Sequence, residues 1–63
     1  MADSLVATVD GPFGKVEIFE IATTLPSGTL SVEYEVRQGG EVQTYPALGH
    51  AYIAAGEMAG TKT

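Results

Sequence analysis

Apolar and polar residues alternate most regularly in the middle of the chain, over residues 29–37. The apolar members of this alternation are Leu30, Val32, Tyr34 and Val36, and the polar members are Thr29, Ser31, Glu33, Glu35 and Arg37. A period of two places every apolar side chain on one face of an extended strand. We therefore predict a strand with one face on a core and the other in water, as in an antiparallel sheet.

The segment that follows the two glycines after this strand, residues 41–45, alternates again and predicts a hairpin. A two-residue loop would place Val36 opposite Gln43. A three-residue loop gives better matched pairs, which are Val36 with Val42, Tyr34 with Thr44 and Arg37 with Glu41. We predict the three-residue loop, with Gly40 in the left-handed conformation that glycine adopts without steric cost.

Residues 15–22 predict another strand, but their apolar phase slips from Val16 and Ile18 to Phe19 and Ile21. One interpretation is a bulge near Ile18 and Phe19. The other is that both faces of the strand are partly buried, which would leave one set of apolar side chains available to another chain. The sequence leaves both interpretations open.

A first strand over residues 4–9 and turns rich in glycine and proline complete the predicted sheet. The turn at residues 25–28 contains proline and glycine at positions that suit a tight reversal. Because all the links are short, the strands are expected to follow one another as a meander. The fold class predicted is α+β: an antiparallel meander of three or four strands, followed by one C-terminal α-helix packed on one sheet face.

The last part of the chain changes to a helical period, which predicts a helix over residues 46–59. The apolar positions at this spacing are Leu48, Ala51, Tyr52, Ala55 and Ala59. Thr44 is the expected cap, Pro46 lies in the first turn, and Gly60 is the expected stop before a frayed tail over 60–63. Leu48 and Tyr52 are the expected anchors of the helix on the sheet.

With 63 residues the chain is sized for one small domain, which buries only roughly 60% of the surface that its unfolded form exposes. Small domains of this kind often rely on disulfides, a metal or self-association. Cysteine is absent, and one histidine does not make a zinc site, so no cofactor or metal is expected. We therefore expect a homo-oligomer, most simply a two-fold dimer.

The formal charge of −5 comes from eight acidic and three basic residues, and the basic residues are spread along the chain. Such a chain cannot build a basic stripe, so neither nucleic acid nor an anionic membrane surface is an expected partner. The beginning of the chain has no secretory signal pattern, and no long apolar segment follows, so a cytoplasmic location is the expectation.

Few residues could carry chemistry. His50 is the side chain whose ordinary pKa lies nearest neutrality, but it is predicted to project away from the Leu48 and Tyr52 stripe into solvent. Glu33 and Glu35 share one strand face, with Glu17 or Gln43 as possible cross-strand neighbours, and could together hold a cation. The ordinary interpretation is a solvated face whose charges prevent pairing with other chains.

These observations favour a small non-catalytic protein-interaction module that associates with itself. The predicted interaction surface comprises Phe13, Phe19, Ile21, Leu48, Tyr52, Ala55 and Ala59. A first alternative is an acidic inhibitor or regulator that docks on a basic surface of another protein. A second alternative is a small oligomeric enzyme, in which His50 meets Tyr45, Tyr52 or Glu57 at a subunit junction.

Overall fold

The computed structural model describes residues 2–61, and within them the chain forms four strands and one helix. These elements are β1 (Ala2–Gly11), β2 (Gly14–Thr24), β3 (Leu30–Gln38), β4 (Glu41–Tyr45) and α1 (Leu48–Ala59). The strands pair in chain order as one antiparallel sheet, β1-β2-β3-β4, and α1 packs against one of its faces. The predicted meander followed by a C-terminal helix is confirmed.

The change of apolar phase in β2 reflects a strand with apolar side chains on both faces. β2 pairs with β3 without interruption from Glu17 to Thr24, so its side chains alternate regularly. The irregularity lies in the neighbouring strand, between Leu5 and Ala7 of β1. Ile18 is therefore buried beneath α1, while Phe19 is half-buried on the opposite face.

The hairpin between β3 and β4 has the register of the two-residue loop, so the predicted three-residue loop is wrong. Val36 lies opposite Gln43, and the positive φ of 58° belongs to Gly39 instead of Gly40. A two-residue turn of this kind, with glycine first, matches the twist of its strands. This register also places Tyr34 opposite Tyr45, and both rings pack against the core.

The helix begins at Leu48, two residues later than predicted, and its N-cap is Ala47 instead of Thr44. Proline disfavours the helical conformation in the residue before it, so Tyr45 remains extended and β4 continues to that point. The predicted stop is confirmed: Gly60 has φ 81°, and its N–H donates to the Gly56 carbonyl at 2.9 Å. The Thr61 N–H donates to the same oxygen. Of the predicted frayed tail, 62–63 lie outside the described residues.

The core lies between α1 and one end of the sheet. Its fully buried members are Val16, Ile18, Val36, Ala51, Ala55 and Ala59. The small alanine side chains let the helix lie close to the strands. Leu48 packs against this core, but Tyr52 is 46% exposed, so its predicted role as an anchor is wrong. Ala51 and Ala55 occupy the centre of the buried stripe, and Tyr52 is displaced to its flank because successive helical residues are about 100° apart.

Only part of the sheet is covered, because the helix is shorter than the strands. Twelve helical residues span about 18 Å, whereas the eleven residues of β2 span about 36 Å. Leu30 and Val32 lie on the helix side of β3, as the alternation predicts, but they are 60% and 37% exposed. The molecule is accordingly elongated, with extents of 43 × 20 × 16 Å.

Candidate interaction surface

The sheet face without a helix, called the open face below, combines apolar and acidic side chains. The cross-strand pairs place Asp3, Leu5, Glu17, Phe19, Ile21, Glu33, Glu35, Arg37 and Val42 on this face. Phe19 and Ile21, predicted from the sequence as interaction residues, are half-buried here. Leu5 lies directly opposite Phe19 and is 53% exposed. The pair Asp10 and Lys15 also lies on this face, which therefore has five carboxylates against two cations and is negatively charged.

Arg37 is held in the centre of the open face by contacts with three side chains. Its guanidinium carbon lies 4.1 Å from the centre of the Phe19 ring, in a cation–π arrangement. Its Nε and Nη2 donate to Oε1 of Glu35 at 2.9 and 2.5 Å, and Nη2 lies 3.5 Å from Oδ2 of Asp3. The hydrogen bonds to Glu35, with a smaller contribution from Asp3, raise the pKa of Arg37 above its ordinary value. Arg37 therefore covers the Phe19 ring and neutralises part of the negative charge of the open face.

The carboxylates predicted as a possible cation site, Glu33 and Glu35, also lie on the open face. Glu35 accepts both hydrogen bonds from Arg37, and Gln43 lies on the helix side, opposite Val36. Among residues 2–61, no three histidine, aspartate or glutamate side chains come together in a way that could hold a metal ion. Glu33 and Glu35 thus contribute charge to the open face.

The second uncovered surface lies on the helix side of the sheet, beyond the first turn of α1. We call it the distal shelf and define it by six residues: Ser4, Glu20, Ala22, Thr24, Leu30 and Val32. Glu20 is the one charged residue of these six, and it accepts a hydrogen bond from the Tyr34 hydroxyl at 3.4 Å. Leu25, also exposed, lies in the turn at the far end of the shelf. Half of the six shelf residues are apolar, namely Ala22, Leu30 and Val32, and the shelf has a single charge.

The sequence correctly predicts the sheet face on which Leu30 and Val32 lie. It does not predict that their side chains are exposed. Their alternation with polar residues looks the same as that of the fully buried Val36. The difference arises from the length of a distant element, since α1 covers Val36 but does not extend as far as Leu30. The sequence contains one indication of this exposure: the predicted helix is shorter than the two longest predicted strands.

The remaining predicted interaction residues are distributed over the protein. Ala55 and Ala59 are fully buried against the chain's own sheet, so they are covered already. Phe13 is 73% exposed, yet its N–H donates to the Ala59 carbonyl at 2.9 Å and its ring lies beside Gly60. The Gln38 side chain donates to the Phe13 and Met58 carbonyls at 3.3 and 3.0 Å. These contacts join the β1–β2 loop, the end of β3 and the end of α1.

The groups considered for acid–base chemistry do not form a site within one chain. His50 is exposed on α1, and Glu57 follows seven residues later, about 10 Å along the helix axis. Tyr52 projects to another side of α1 than His50, since residues two apart on a helix do not face each other. The Tyr45 hydroxyl donates to the Gln43 side chain. The surface of the described residues contains no detectable pocket in which a substrate could be enclosed.

In comparisons with known proteins, no family model, no curated protein and no solved structure matches the chain. Across residues 2–61, no helix has the length and apolar character needed to cross a lipid bilayer.

Proposed function

We propose that this chain is a small non-catalytic protein-interaction module that associates with a second copy of itself. The observation that carries the proposal is that one short helix covers only part of one sheet face, so that large apolar side chains stay uncovered on both faces of the sheet. Leu5, Leu30 and Val42 are each more than half exposed although they lie in strands. Large apolar side chains grouped on a flat surface are typical of protein contacts.

The exposure of large apolar side chains supports this proposal, whereas the total exposed surface area of the chain does not. The chain exposes 3991 Å², close to the value of about 3,800 Å² expected for a monomer of 6.5 kDa. The protein thus exposes about as much surface as an ordinary small monomer. Among residues 3–61, the large side chains that are fully buried are Ile18, Val16 and Val36. Much of the apolar material in the strands remains at the surface, where a partner would bury it.

Sedimentation equilibrium of the full chain, at concentrations from about 10 μM to about 1 mM, tests the proposal because mass action favours association as concentration rises. We expect the average mass to rise from that of the monomer toward that of the dimer. A mass that stays at 6.5 kDa throughout this series would refute self-association. Circular dichroism at each end of the series controls for unfolding or aggregation.

A second candidate function uses the open face, on which carboxylates outnumber cations. A basic surface of another protein could dock there, with Phe19 and Ile21 supplying apolar contact and Glu17 and Glu33 supplying attraction. Binding of a labelled oligolysine peptide probes this possibility. Attraction of this kind weakens as salt is added. An affinity equal at low and high ionic strength, or equal after Glu17→Gln and Glu33→Gln together, would count against it.

A further inference from the structure

We propose that the distal shelf is the surface through which two copies pair, with their shelves stacked face to face about a two-fold axis. The inference rests on the proposed self-association and assigns it a place on the molecule. The axis would pass through the centre of the shelf, near Val32 and Ala22, so that each shelf covers its own copy.

Charge favours the distal shelf over the open face as the meeting surface. Each copy has a formal charge of −5, so close approach of two copies requires a region with few carboxylates. The shelf has one, Glu20, whose Oε2 is hydrogen-bonded to Tyr34. Stacking two open faces would instead bring ten carboxylates together with four cationic groups, because each face has five carboxylates, one arginine and one lysine. Like charges in direct opposition are costly at an interface.

The height of the helix fits the stacked arrangement. A helix with its side chains is about 10 Å thick, and two sheets packed face to face are also about 10 Å apart. The shelf of a second copy would therefore lie in the same layer as α1 of the first. In the two-fold arrangement, the turn at residues 25–28 of each copy then reaches the beginning of the other copy's helix. There, exposed Leu25 would meet the first turn of α1.

The area available sets the expected strength of the pairing. The shelf is about 17 Å long and about 14 Å wide, since it covers roughly five residues of three strands. Two stacked shelves of this size bury on the order of 500 Å², and the contacts between turn and helix add to this. Stable protein pairs bury about 1,200–2,000 Å², so the dimer is expected to be weak and in exchange with the monomer.

Leu30→Asp and Val42→Asp form a matched pair of variants that locates the contact. Both residues are exposed apolar side chains in strands, 60% and 55% exposed, but Leu30 lies on the shelf and Val42 on the open face. We expect Leu30→Asp to raise the dissociation constant by about a hundredfold, because two-fold symmetry removes two leucine contacts at once. Val42→Asp should leave it within about threefold. The measurement is sedimentation equilibrium of each full-length variant.

A cross-linking experiment gives a second readout that does not depend on the aspartate variants folding. The chain has no cysteine, so Val32→Cys introduces a single thiol near the proposed axis. A short bis-maleimide should join two Val32→Cys chains efficiently, whereas the control Val42→Cys should remain largely monomeric.

The possible outcomes separate this inference from the proposed function. A wild-type chain that remains monomeric overturns both. A wild-type dimer that resists Leu30→Asp but dissociates with Val42→Asp, or that cross-links through residue 42 and not through residue 32, overturns the shelf and retains self-association. Loss of the dimer in Leu30→Asp alone, with cross-linking through residue 32, supports both.

Discussion

At the scale of single residues, the helix and the sheet approach each other closely at Gly11, at the end of β1. A Cβ placed on this glycine would lie 2.2 Å from the carbonyl oxygen of Ala59 and 2.8 Å from its carbonyl carbon. Both atoms belong to the backbone at the last residue of α1, so they cannot rotate away. The absence of a side chain at residue 11 is therefore what lets the helix end reach the sheet.

We predict that Gly11→Ala lowers the free energy of unfolding by about 2 kcal/mol, because the end of α1 must move to accommodate the methyl group. Urea unfolding followed by circular dichroism measures the change. Gly49→Ala is the matched control: nothing lies within 4 Å of its added Cβ. Alanine is favoured over glycine inside a helix by up to about 1 kcal/mol, so this variant should be more stable than the wild type. Equal stability of the two variants would contradict the close approach.

At the scale of elements, turn geometry decides how β3 and β4 pair. The side-chain match of Val36 with Val42 favours one register, and the opposition of Tyr34 with Tyr45 favours the other. The structure has the second, with a two-residue turn that requires positive φ at Gly39. The extra match between aromatic rings and the favoured twist of the short turn together outweigh the lost valine pair.

The two glycines of this turn provide a direct test of the register. Gly39→Ala is expected to lower the free energy of unfolding by about 1 kcal/mol, because a side chain is strained at φ 58°. Gly40→Ala should change it by less than about half as much, since Gly40 has no positive φ and nothing lies within 4 Å of its added Cβ. Thermal unfolding of both variants measures the difference. The opposite order of stability would indicate the three-residue loop.

The elements that the sequence predicts correctly depend on local patterns. Alternation over residues 29–37 assigns Val36 to the helix side, and Gly60 marks the helix end, because each signal is contained in a few neighbouring residues. The predicted start of the helix is wrong because Pro46 keeps Tyr45 extended, and the apolar period alone does not contain this restriction. The predicted role of Tyr52 is wrong because a helical stripe of alanines leaves its centre uncertain by about one residue.

The candidate surface was only partly predictable for a different reason. Phe19 and Ile21 are visible in the sequence because their phase differs from that of Val16 and Ile18. The exposure of Leu30 and Val32 depends instead on where α1 begins in space, which no local pattern specifies. Ala55 and Ala59 have the helical spacing of an interaction surface, but they pack against the sheet of the same chain.

At the scale of the whole molecule, net charge opposes the association that the apolar surfaces favour. Two copies at −5 repel each other at long range, and salt screens this repulsion, with a Debye length of about 30 Å at 0.01 M and about 10 Å at 0.1 M. Self-association and docking on a basic partner therefore respond to salt in opposite directions.

We predict that raising sodium chloride from about 20 mM to about 500 mM lowers the dissociation constant of the homodimer severalfold, because screening removes repulsion between the copies. Sedimentation equilibrium at several salt concentrations measures this trend. Glu20→Gln, which removes the charge from the distal shelf, should flatten the dependence. A dimer that dissociates as salt is added would show that attraction between opposite charges holds it together.

The confinement of the core to one end of the sheet has a consequence for motion. Val16, Ile18 and Val36 hold the covered end, whereas the strands on either side of the 25–28 turn are joined chiefly by backbone hydrogen bonds. Segments with few buried apolar contacts open at lower cost than the global unfolding of a protein. The far hairpin should therefore fluctuate as a separate cooperative unit, with its amide hydrogens exchanging sooner than those beneath the helix. A second copy seated there would bring the two ends closer to equal protection.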